Sequence, residues 1–445
     1  MANRNGDAHS LETFCILPWV HLYSEPDGSV RPCCISLAEP GTVDRDADGE
    51  PYVIYSQGAI ERAWNSQFMK ELRQEMLAGK RPPACLRCFH TEDRGIRSYR
   101  QFSNEEFADR IEEVIDGTSE DGFSPPDSIR SIDLRLGNLC NLRCRMCSPE
   151  SSKAIIKEWA HLNGMDGDDA RLQRLKRLDW FSKEDLWRGI EKHVSSIEKL
   201  HFTGGEPMII PQVADFLERV VAMGYARNIT LSFISNLTVL PRRMLALWPH
   251  FKSVRLVASV DGFGEVNSFI RHPSNWATID RNLKELDGSY KQLNLSSLCI
   301  NTTVQVYNIF RLDALIEYLA TTFSHVSQPA LTLLTEPYHF NVRILPPGMK
   351  RLAAARLKNF IEGFQPRWPE RWRDKYLDTL HSTVDAIITH MMSEDRSDLL
   401  PEFLRWTGHM DSSRRQNVLA VVPELAPLFK TRAEEGFCHH EENGR

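Results

Sequence analysis

The sequence predicts an α/β protein whose centre is a partial (β/α)6 barrel of the TIM type. Two observations support this prediction. First, six short apolar runs of strand length follow Ser128, and they read SIDLRLG, IEKLHFTGG, ITLSFISN, SVRLVASVDG, LSSLCINTTVQV and ALTLLTEP. Second, helical patterns such as PQVADFLERVVAMG separate these runs. A repeated strand–helix order indicates a parallel sheet with right-handed crossovers, and functional residues are then expected just after the strands.

The segments on either side of the predicted barrel differ in character. Residues 1–125 lack regular periodicity and predict a loop-rich unit, in which NSQFMKELRQEMLAG is one clear amphipathic helix. Residues 339–445 are helical and rich in Trp and Arg, without a repeat or a recognisable motif. We therefore expect three domains, at residues 1–125, 126–338 (the barrel) and 339–445 (a helical C-terminal extension).

Composition narrows the class of protein. The chain has 445 residues, of which 42% are hydrophobic and 26% charged, a balance typical of soluble globular proteins. The net charge of −6 provides no field that would gather phosphates, so a nucleic-acid partner is not expected. The N-terminus has no apolar signal region, and no apolar run approaches the roughly 18 to 20 residues that span a bilayer. These features predict a cytoplasmic protein without a membrane partner.

Eight of the ten cysteines fall into three groups near the N-terminal third of the chain. In a cytoplasmic protein such grouping indicates metal binding better than disulfides. One group, Cys140, Cys144 and Cys147, forms a C-x3-C-x2-C loop directly after the strand SIDLRLG. Three thiolates from one loop can hold three corners of an iron–sulfur cubane, which leaves the fourth iron without a protein ligand. An open iron can bind a small molecule and pass it an electron.

The next strand adds a second motif. IEKLHFTGGEP ends in Gly204, Gly205, Glu206 and Pro207, and glycines let the backbone approach a ligand closely. Together with the cysteine spacing, this pattern resembles the radical S-adenosylmethionine (SAM) superfamily. The resemblance implies a partial (β/α)6 barrel, a [4Fe–4S] cluster that binds SAM, and hydrogen bonding of the GGEP segment to the methionine amino group of SAM. The alternative is a three-thiolate zinc site beside an unrelated Gly-Gly turn.

Further similarities to this superfamily extend over residues 128 to 336. Ser235 and Asn236 end the third strand, Ser259 lies at the end of the fourth in ASVDG, and Arg271 follows in FIRHP. The resemblance implies that the serine and the arginine face the methionine carboxylate of SAM, a pairing that the guanidinium group suits; the alternative for Arg271 is a surface helix cation. The sequence departs from the family at Met146, where an aromatic residue is usual, although Met can also cover the cluster.

A hairpin near the N-terminus resembles a second type of cluster domain. In CILPWVHLYSEPDGSVRPCC, Cys15 precedes Gly28, and Cys33 follows five residues after that glycine. This is similar to the C-x(9–15)-G-x4-C hairpin of twitch and SPASM auxiliary-cluster domains. In those proteins the hairpin follows the barrel, whereas here it precedes it, as in a group of twitch-domain radical SAM proteins with an N-terminal PW…PDG…PCC pattern.

This second resemblance implies an auxiliary [4Fe–4S] cluster held by Cys15, Cys33, Cys85 and Cys88. The glycine spacing favours Cys33 over Cys34 as the ligand. Four thiolates leave no open iron, so this cluster would pass electrons or shape the substrate pocket and would not bind SAM. A structural zinc ion held by the same four thiolates is the alternative.

The resemblance implies an enzyme that reductively cleaves SAM to a 5′-deoxyadenosyl radical, which then abstracts a substrate hydrogen. An external one-electron donor such as flavodoxin or ferredoxin would supply the electron. The reaction outcome stays open between epimerisation, oxidation, crosslinking and rearrangement. No catalytic residue is assigned. Cys299 shares strand parity with Asn301, Thr303 and Gln305, but it is interpreted as a buried structural cysteine.

No motif in the sequence specifies the substrate class directly. The auxiliary-domain resemblance favours a peptide or protein substrate, as in the maturation of ribosomally synthesised peptides, over a sugar, a nucleotide or another small metabolite. Two alternatives come from other classes of protein. One is a non-catalytic iron–sulfur protein, and the other is a zinc-stabilised binding module.

Overall fold

The computed structural model describes residues 12–37, 45–46, 48–50, 52–364 and 368–435 of the chain. Contacts divide the chain into two compact units. The first consists of Met1–Leu139, Arg177–Phe233 and Arg243–Val254, and the second of Cys140–Lys176, Ile234–Arg242 and Arg255–Arg445. This division differs from the expected domain boundaries at residues 125 and 338, which stay predictions.

The strands form one open sheet, which confirms the predicted α/β fold class. The strands are β1 (His21–Ser24), β2 (Val30–Arg31), β3 (Ser131–Leu136), β4 (Lys199–Gly204), β5 (Thr230–Ser235), β6 (Ser253–Ser259), β7 (Leu295–Val304) and β8 (Ala330–Leu333). Their order in the sheet is β2-β1-β3-β4-β5-β6-β7-β8. All six predicted strands are therefore present, as β3 to β8.

The N-terminal segment contributes two further strands, which lie within the hairpin that the resemblance implied between Cys15 and Cys33. β1 pairs in parallel with β3, with His21 opposite Ser131 and Ser24 opposite Leu134. β2 pairs antiparallel with β1. With four and two residues, these strands are too short to show a clear alternation of apolar and polar residues.

Helices separate the barrel strands and make up most of the N-terminal and C-terminal segments. Those before β3 are α1 (Leu17–Val20), α2 (Ala59–Trp64), α3 (Gln67–Leu77), α4 (Leu86–Glu92), α5 (Tyr99–Glu106) and α6 (Ile111–Asp116). Those between β3 and β8 are α7 (Ile156–Leu162), α8 (Ala170–Leu175), α9 (Glu184–Glu191), α10 (Pro211–Ala222), α11 (Arg242–Leu247), α12 (Glu265–Ile270), α13 (Trp276–Gly288) and α14 (Leu312–Thr322). Those after β8 are α15 (Pro347–Phe364), α16 (Glu370–Met392), α17 (Leu400–Arg414), α18 (Val418–Val421) and α19 (Ala426–Glu435).

The predicted amphipathic helix near the N-terminus is confirmed as α3. It begins after Ser66, whose side chain accepts a hydrogen bond from the third residue of the helix, as an N-cap serine should. Its apolar face, which includes Leu72 and Met76, packs in a core with Phe14 and Trp19. The N-terminal segment is therefore more helical than its lack of periodicity suggested.

The two faces of the sheet in the first unit have opposite character. Successive side chains along a strand point to opposite faces of the sheet. Residues that are paired across β1, β3, β4 and β5 therefore lie on the same face. One face carries a buried apolar row formed by Leu22, Ile132, Leu200 and Leu231. The other face carries a polar row formed by Tyr23, Asp133, His201 and Ser232. A polar interior row of this kind is where a barrel can receive a polar ligand.

The C-terminal segment packs against the chain between α14 and β8 within the second unit. Trp368 and Trp372 are buried, and the indole Nε1 of Trp372 donates to the carbonyl oxygen of Val326 at 3.0 Å. Arg371 donates to the same carbonyl oxygen at 3.0 Å. Among the described residues, no helix has both the length and the apolar character needed to cross a membrane.

Candidate metal centres

The loop that follows β3 brings three thiols together. Cys144 is buried, while Cys140 and Cys147 are half-buried. A hydrogen bond between Cys147 and Cys144 lowers the pKa of the Cys144 thiol and raises that of Cys147. The backbone N–H of Leu142 donates to the sulfur of Cys140 at 3.4 Å. The predicted C-x3-C-x2-C ligands therefore lie close to one another in a single turn of chain.

A buried arginine inside this loop holds it in place. Arg145 lies between the second and third cysteines, and its guanidinium carbon is 3.6 Å from the centroid of the Phe269 ring. Its Nε donates to the carbonyl oxygen of Phe269 at 3.1 Å, and its Nη2 donates to Asp411 and to Gln416. The backbone N–H of Arg145 donates to Ile270. Sequence reasoning missed this residue, because its acidic partner lies 266 positions away.

The GGEP segment packs tightly against the backbone that leads into the cysteine loop. Gly204 has a φ of +114°, a conformation that favours glycine. A Cβ atom at Gly205 would lie 2.1 Å from the carbonyl oxygen of Leu139, so no larger residue fits there. The backbone N–H of Glu206 donates to the same oxygen at 2.8 Å, and its carboxylate accepts from the N–H of Met208 at 3.1 Å. The two motifs found in the sequence thus meet at Leu139.

The residues at the end of β5 also reach the cysteine loop. The side-chain amide of Asn236 donates to the side-chain oxygen of Asn141 at 3.0 Å, and its nitrogen lies 3.8 Å from the sulfur of Cys140. Ser235 is buried, and its hydroxyl accepts from the N–H of Leu237 at 3.1 Å. Ser259 is half-buried at the last position of β6. Asn236 is therefore brought to the loop.

Arg271 is a buried ion-pair partner. Its Nε lies 2.8 Å from the carboxylate of Asp261, which also accepts from the backbone N–H of Thr303 at 2.7 Å. Only 8% of Arg271 and none of Asp261 is exposed, so the surface-cation alternative for Arg271 is wrong. Burial raises the pKa of Asp261, and the adjacent guanidinium opposes this shift. The expected contact of Arg271 with the methionine carboxylate stays a prediction.

The N-terminal cysteines gather around a second cavity. Cys15, Cys33, Cys85 and Cys88 all line it, together with Tyr99 and Arg100 among others. Burial raises the pKa of the Cys15 thiol well above its usual value, and the neighbouring Cys85 and Cys33 raise it further. Burial likewise raises the pKa of Cys33 to about 11. The four predicted ligands are therefore brought together.

Local geometry separates Cys33 from its neighbour Cys34. Cys34 is exposed and is absent from the lining of the cavity. Upstream, Gly28 has a φ of +85°, and a Cβ atom there would lie 2.5 Å from the ring of Tyr55. This glycine therefore allows the tight turn between β1 and β2 that leads the chain to Cys33, in agreement with the glycine spacing of the sequence.

A second buried arginine braces the N-terminal site. Arg100 is 4% exposed, and its Nη1 donates to the carbonyl oxygen of Phe14, directly before Cys15, at 2.6 Å. Its Nη2 forms an ion pair with Glu92 at 2.6 Å. Glu92 ends the helix α4, which carries Cys88. Arg100 therefore links the segment that contains Cys15 to helix α4, which contains Cys88. This arginine was not identified from the sequence.

Comparison with known families agrees with this geometry. The sequence model of the Radical SAM superfamily matches residues 134–302, which include the cysteine loop, the GGEP segment and Arg271. Residues 134–302 of the chain are therefore similar to the radical SAM superfamily. A second model, described as an iron–sulfur cluster-binding domain, matches residues 15–89, which include Cys15, Cys33, Cys85 and Cys88. The domain matched at residues 134–302 is one that binds a [4Fe–4S] cluster and SAM. The domain matched at residues 15–89 is one that binds iron–sulfur clusters.

Individual relatives are distant. A GTP 3′,8-cyclase from Streptomyces coelicolor is 35% identical over 97 residues, which cover 21% of this chain and 23% of that protein. The chain thus spans about a quarter of the curated relatives it matches. Among solved structures, anSMEcpe with bound AdoMet is 14% identical with a TM-score of 0.35, covering 60% of this chain and 67% of that one. SuiB from Streptococcus suis, bound to S-adenosylmethionine, is 12% identical with a TM-score of 0.32, covering 68% and 60%.

The donor chemistry of both cysteine sites fits iron–sulfur clusters. The nine described cysteines are free thiols, and soft sulfur ligands suit iron. The loop after β3 provides three thiols, and the N-terminal cavity provides four. Across the described ranges, no three His, Cys, Asp or Glu side chains are grouped closely enough to hold a single metal ion.

One acidic residue on the polar face of the sheet was missed by sequence reasoning. Asp133 is 8% exposed, and its Oδ1 has no hydrogen-bond partner among the described residues. Burial raises the pKa of this carboxyl to about 7, although Arg135 partly opposes the shift. An acidic residue between the apolar residues Ile132 and Leu134 of the strand SIDLRLG was the available signal. A buried carboxyl without a partner is a candidate to contact a ligand.

Cys299 was expected to be a buried structural cysteine, and the structure shows it to be only partly buried. It is half-buried on β7, on the same face as Asn301 and Thr303. The hydroxyls of Ser297 and Ser327 lie 3.2 Å and 3.1 Å from its sulfur. The thiol is therefore engaged by neighbouring side chains, and no catalytic role is assigned to it.

Proposed function

We propose that the chain is a radical SAM enzyme that cleaves SAM reductively and takes a hydrogen atom from a peptide or protein substrate. The observation that carries this proposal is the meeting of two motifs at one point of the backbone. The three-thiol loop begins at Cys140, and the residue before it accepts a hydrogen bond from Glu206 of the GGEP segment. A zinc site would not need Gly205 to approach the backbone so closely.

Each residue of this site has a proposed part. Cys140, Cys144 and Cys147 hold a cluster with one open iron. When bound, the cluster supplies one electron to SAM, which separates into methionine and a 5′-deoxyadenosyl radical. The backbone of Gly205 and Glu206 binds the methionine amino group. Further residues orient the rest of SAM, and they are Ser235, Asn236, Ser259 and Arg271.

The pairing of Arg271 with Asp261 shapes this proposal. A buried carboxylate already compensates the guanidinium charge, so Arg271 attracts a second carboxylate less strongly than an unpaired arginine would. The pair instead fixes the direction of the guanidinium group, whose remaining N–H groups can meet SAM. This arrangement favours precise orientation over tight binding.

The N-terminal site holds the auxiliary cluster in this proposal. Its four thiols come from Cys15, Cys33, Cys85 and Cys88, and four thiolates close all corners of a cubane. Such a cluster can exchange an electron with the substrate or shape its pocket, and it does not bind SAM. The nearby Tyr99 lines the cavity and shares electrostatic contact with Asp133.

A peptide or protein is the proposed substrate, and a nucleotide, a sugar or another small metabolite is the second candidate. The match to an iron–sulfur cluster-binding domain at residues 15–89 supports the auxiliary-cluster assignment on which the peptide proposal rests. The partial match to GTP 3′,8-cyclases supports the nucleotide alternative over a quarter of their length only. An external donor such as flavodoxin or ferredoxin supplies the electron, and the free thiols suit a reducing cytoplasm.

The test is cleavage of SAM by protein purified without oxygen. After addition of SAM and dithionite, the wild type is expected to form 5′-deoxyadenosine, and Cys144→Ala is expected to form none. Cys299→Ala is the matched control, because this thiol lies outside both sites, and it should retain the activity. Absence of 5′-deoxyadenosine from the fully reconstituted wild type would contradict the proposal.

A further inference from the structure

A cleft of about 610 Å³ opens in the second unit beside the cysteine loop. This size lies within the range of ordinary ligand sites. Met146 and Cys147 of the loop form one part of its lining. The opposite part comes from residues beyond position 335, including Tyr338 and Trp406. This part lies outside the segment that the superfamily model matches, which ends at residue 302, so it can give this chain a substrate preference of its own.

The charges that line the cleft do not balance. Glu336 and Glu402 both line it, and neither forms an ion pair with a lysine or arginine of the described residues. The imidazole Nδ1 of His339 lies 3.5 Å from the carboxylate of Glu402. Burial lowers the pKa of His339 to about 4, so this imidazole is neutral at pH 7. Two carboxylate charges therefore remain in the cleft.

The two arginines in the lining do not offset these charges. Arg145 is paired with Asp411. Arg396 lies 3.3 Å from Asp398 and 3.8 Å from Glu394. The carboxylates that neutralise the two arginines lie outside the lining. The charges of these two arginines are therefore already compensated, whereas Glu336 and Glu402 have no paired lysine or arginine among the described residues.

Aromatic rings complete the lining. Trp159 is half-buried, Trp406 is buried, and Tyr338 is 59% exposed at the mouth of the cleft. Aromatic faces beside carboxylates attract a cation that carries an apolar stem, because the ring quadrupole and the anion act together. Lysine and arginine side chains have this form, with a hydrocarbon stem and a charged end.

We propose that this cleft binds a lysine or arginine side chain of the substrate peptide and thereby presents the neighbouring residues to the cysteine loop. The proposal rests on the proposed function, since a substrate beside this loop matters for catalysis only if the loop holds the SAM-binding cluster. It adds a stated preference, namely a cationic peptide. Glu336 and Glu402 are the residues that determine this preference.

The test uses two fluorescein-labelled peptides with one Gly/Ser/Trp framework, of which one carries two lysines and the other two glutamates. Binding to the full-length holoprotein is measured by fluorescence anisotropy at low and at high salt. We expect the lysine peptide to bind about tenfold more tightly than the glutamate peptide at low salt, and less so at high salt. The Glu336→Gln/Glu402→Gln double variant should lose this difference. Glu362→Gln, an exposed position on α15 outside the lining, is the matched control.

A charge reversal guards against misfolding of the double variant. Glu402→Lys should bind the glutamate peptide more tightly than the wild type does, a gain that an unfolded protein cannot show. Equal binding of both peptides, absence of binding, or an unchanged preference in the double variant would each overturn the proposal. So would a weaker affinity of the double variant for SAM with an unchanged peptide preference, because the cleft would then be part of the SAM site.

Formation of 5′-deoxyadenosine in the same preparations separates this inference from the proposed function. If the wild type forms 5′-deoxyadenosine but shows no charge preference, only the cleft proposal fails. If the wild type binds the lysine peptide in the expected way but forms no 5′-deoxyadenosine, the cleft remains a site for cationic peptides and the enzymatic proposal fails.

Discussion

The loop after β3 draws three thiols from eight consecutive residues, Cys140 to Cys147, whereas the N-terminal site draws four thiols from segments that begin at Cys15 and end at Cys88. The first site needs little chain to be ordered before its ligands meet, because they share one loop. The second needs a hairpin and a helix to be brought together first. Ligands that share one loop can therefore be recognised from their spacing in the sequence, whereas the grouping of ligands from distant segments depends on the fold.

The two sites nevertheless share one structural feature. Each is braced by one buried arginine that donates to backbone carbonyl oxygens and pairs with one carboxylate. Arg145 does this in the loop after β3, with Asp411. Arg100 does it at the N-terminal site, with Glu92. If the sites are independent, removing either arginine should damage its own site and leave the other intact.

The largest effect is expected for Arg145→Met. This substitution leaves Asp411 without its cation and removes three side-chain hydrogen bonds, so we expect a loss of about 3–5 kcal/mol in the free energy of unfolding. Denaturant unfolding measures this loss. Iron bound by the loop site should fall, while iron bound by the N-terminal site should not. The exposed Arg171→Met is the control and should change stability by less than about 0.5 kcal/mol.

Asp133 gives a pH-dependent effect that belongs to neither cysteine site. Because burial raises its pKa from the usual range to about 7, the folded protein holds a proton that the unfolded chain releases. The stability contribution of Asp133 is therefore complete below about pH 4 and is lost as the pH rises through 7. The Asp133→Asn variant avoids this loss, so its stability relative to the wild type should increase by up to about 4 kcal/mol between pH 4 and pH 8.

Denaturant unfolding of both proteins across this pH range is the measurement. An Asp127→Asn variant, at an exposed position before β3, is the control and should show no comparable pH trend. A difference between Asp133→Asn and wild type that stays constant from pH 4 to pH 8 would mean that the carboxyl is not buried without a partner, and it would remove Asp133 as a candidate ligand contact.

A smaller effect is expected for Arg100→Met. The side chain of Arg100 is 5% exposed whereas that of Arg145 is fully buried, so the loss in unfolding free energy should be about 2–3 kcal/mol. Iron should be lost from the N-terminal site alone, and formation of 5′-deoxyadenosine should persist. The opposite pattern, with SAM cleavage lost and iron retained, would show that the two sites are not braced separately.

The smallest effect is expected for Cys34→Ser. This thiol is exposed and lies outside the cavity lining, so the iron content should stay at the wild-type value. Cys33→Ser, one position away, should lower it by about four irons per chain. Metal analysis of the two variants side by side provides the measurement. Loss of iron from Cys34→Ser alone would reverse the assignment.

The sequence predicted those features that depend on neighbouring residues. The strands β3 to β8 were visible because apolar runs alternate with helical patterns, and the cysteine loop and GGEP segment have fixed local spacing. Apolar patterning did not reveal β1 and β2 because they have only four and two residues, and β1 joins the sheet by pairing with a strand more than 100 residues away. Arg145 was missed for the same reason, since Asp411 is distant in the chain.

Two parts of the site could not be read from the sequence because they depend on what a side chain lacks. The aspartate in SIDLRLG is visible, but only the fold shows that one of its oxygens is buried without a partner. Likewise, Glu336 and Glu402 are ordinary acidic residues until the structure places both in one cleft without a paired cation. Unbalanced charge is a property of tertiary packing.

The most direct test of the account is to count iron in three proteins purified without oxygen and to measure 5′-deoxyadenosine in each. The wild type should contain about eight irons per chain, and Cys144→Ala and Cys85→Ala about four each. Only Cys144→Ala should fail to form 5′-deoxyadenosine, because only the loop after β3 leaves an iron open for SAM. Loss of SAM cleavage in Cys85→Ala with cleavage retained in Cys144→Ala would contradict the division of roles between the two cysteine sites.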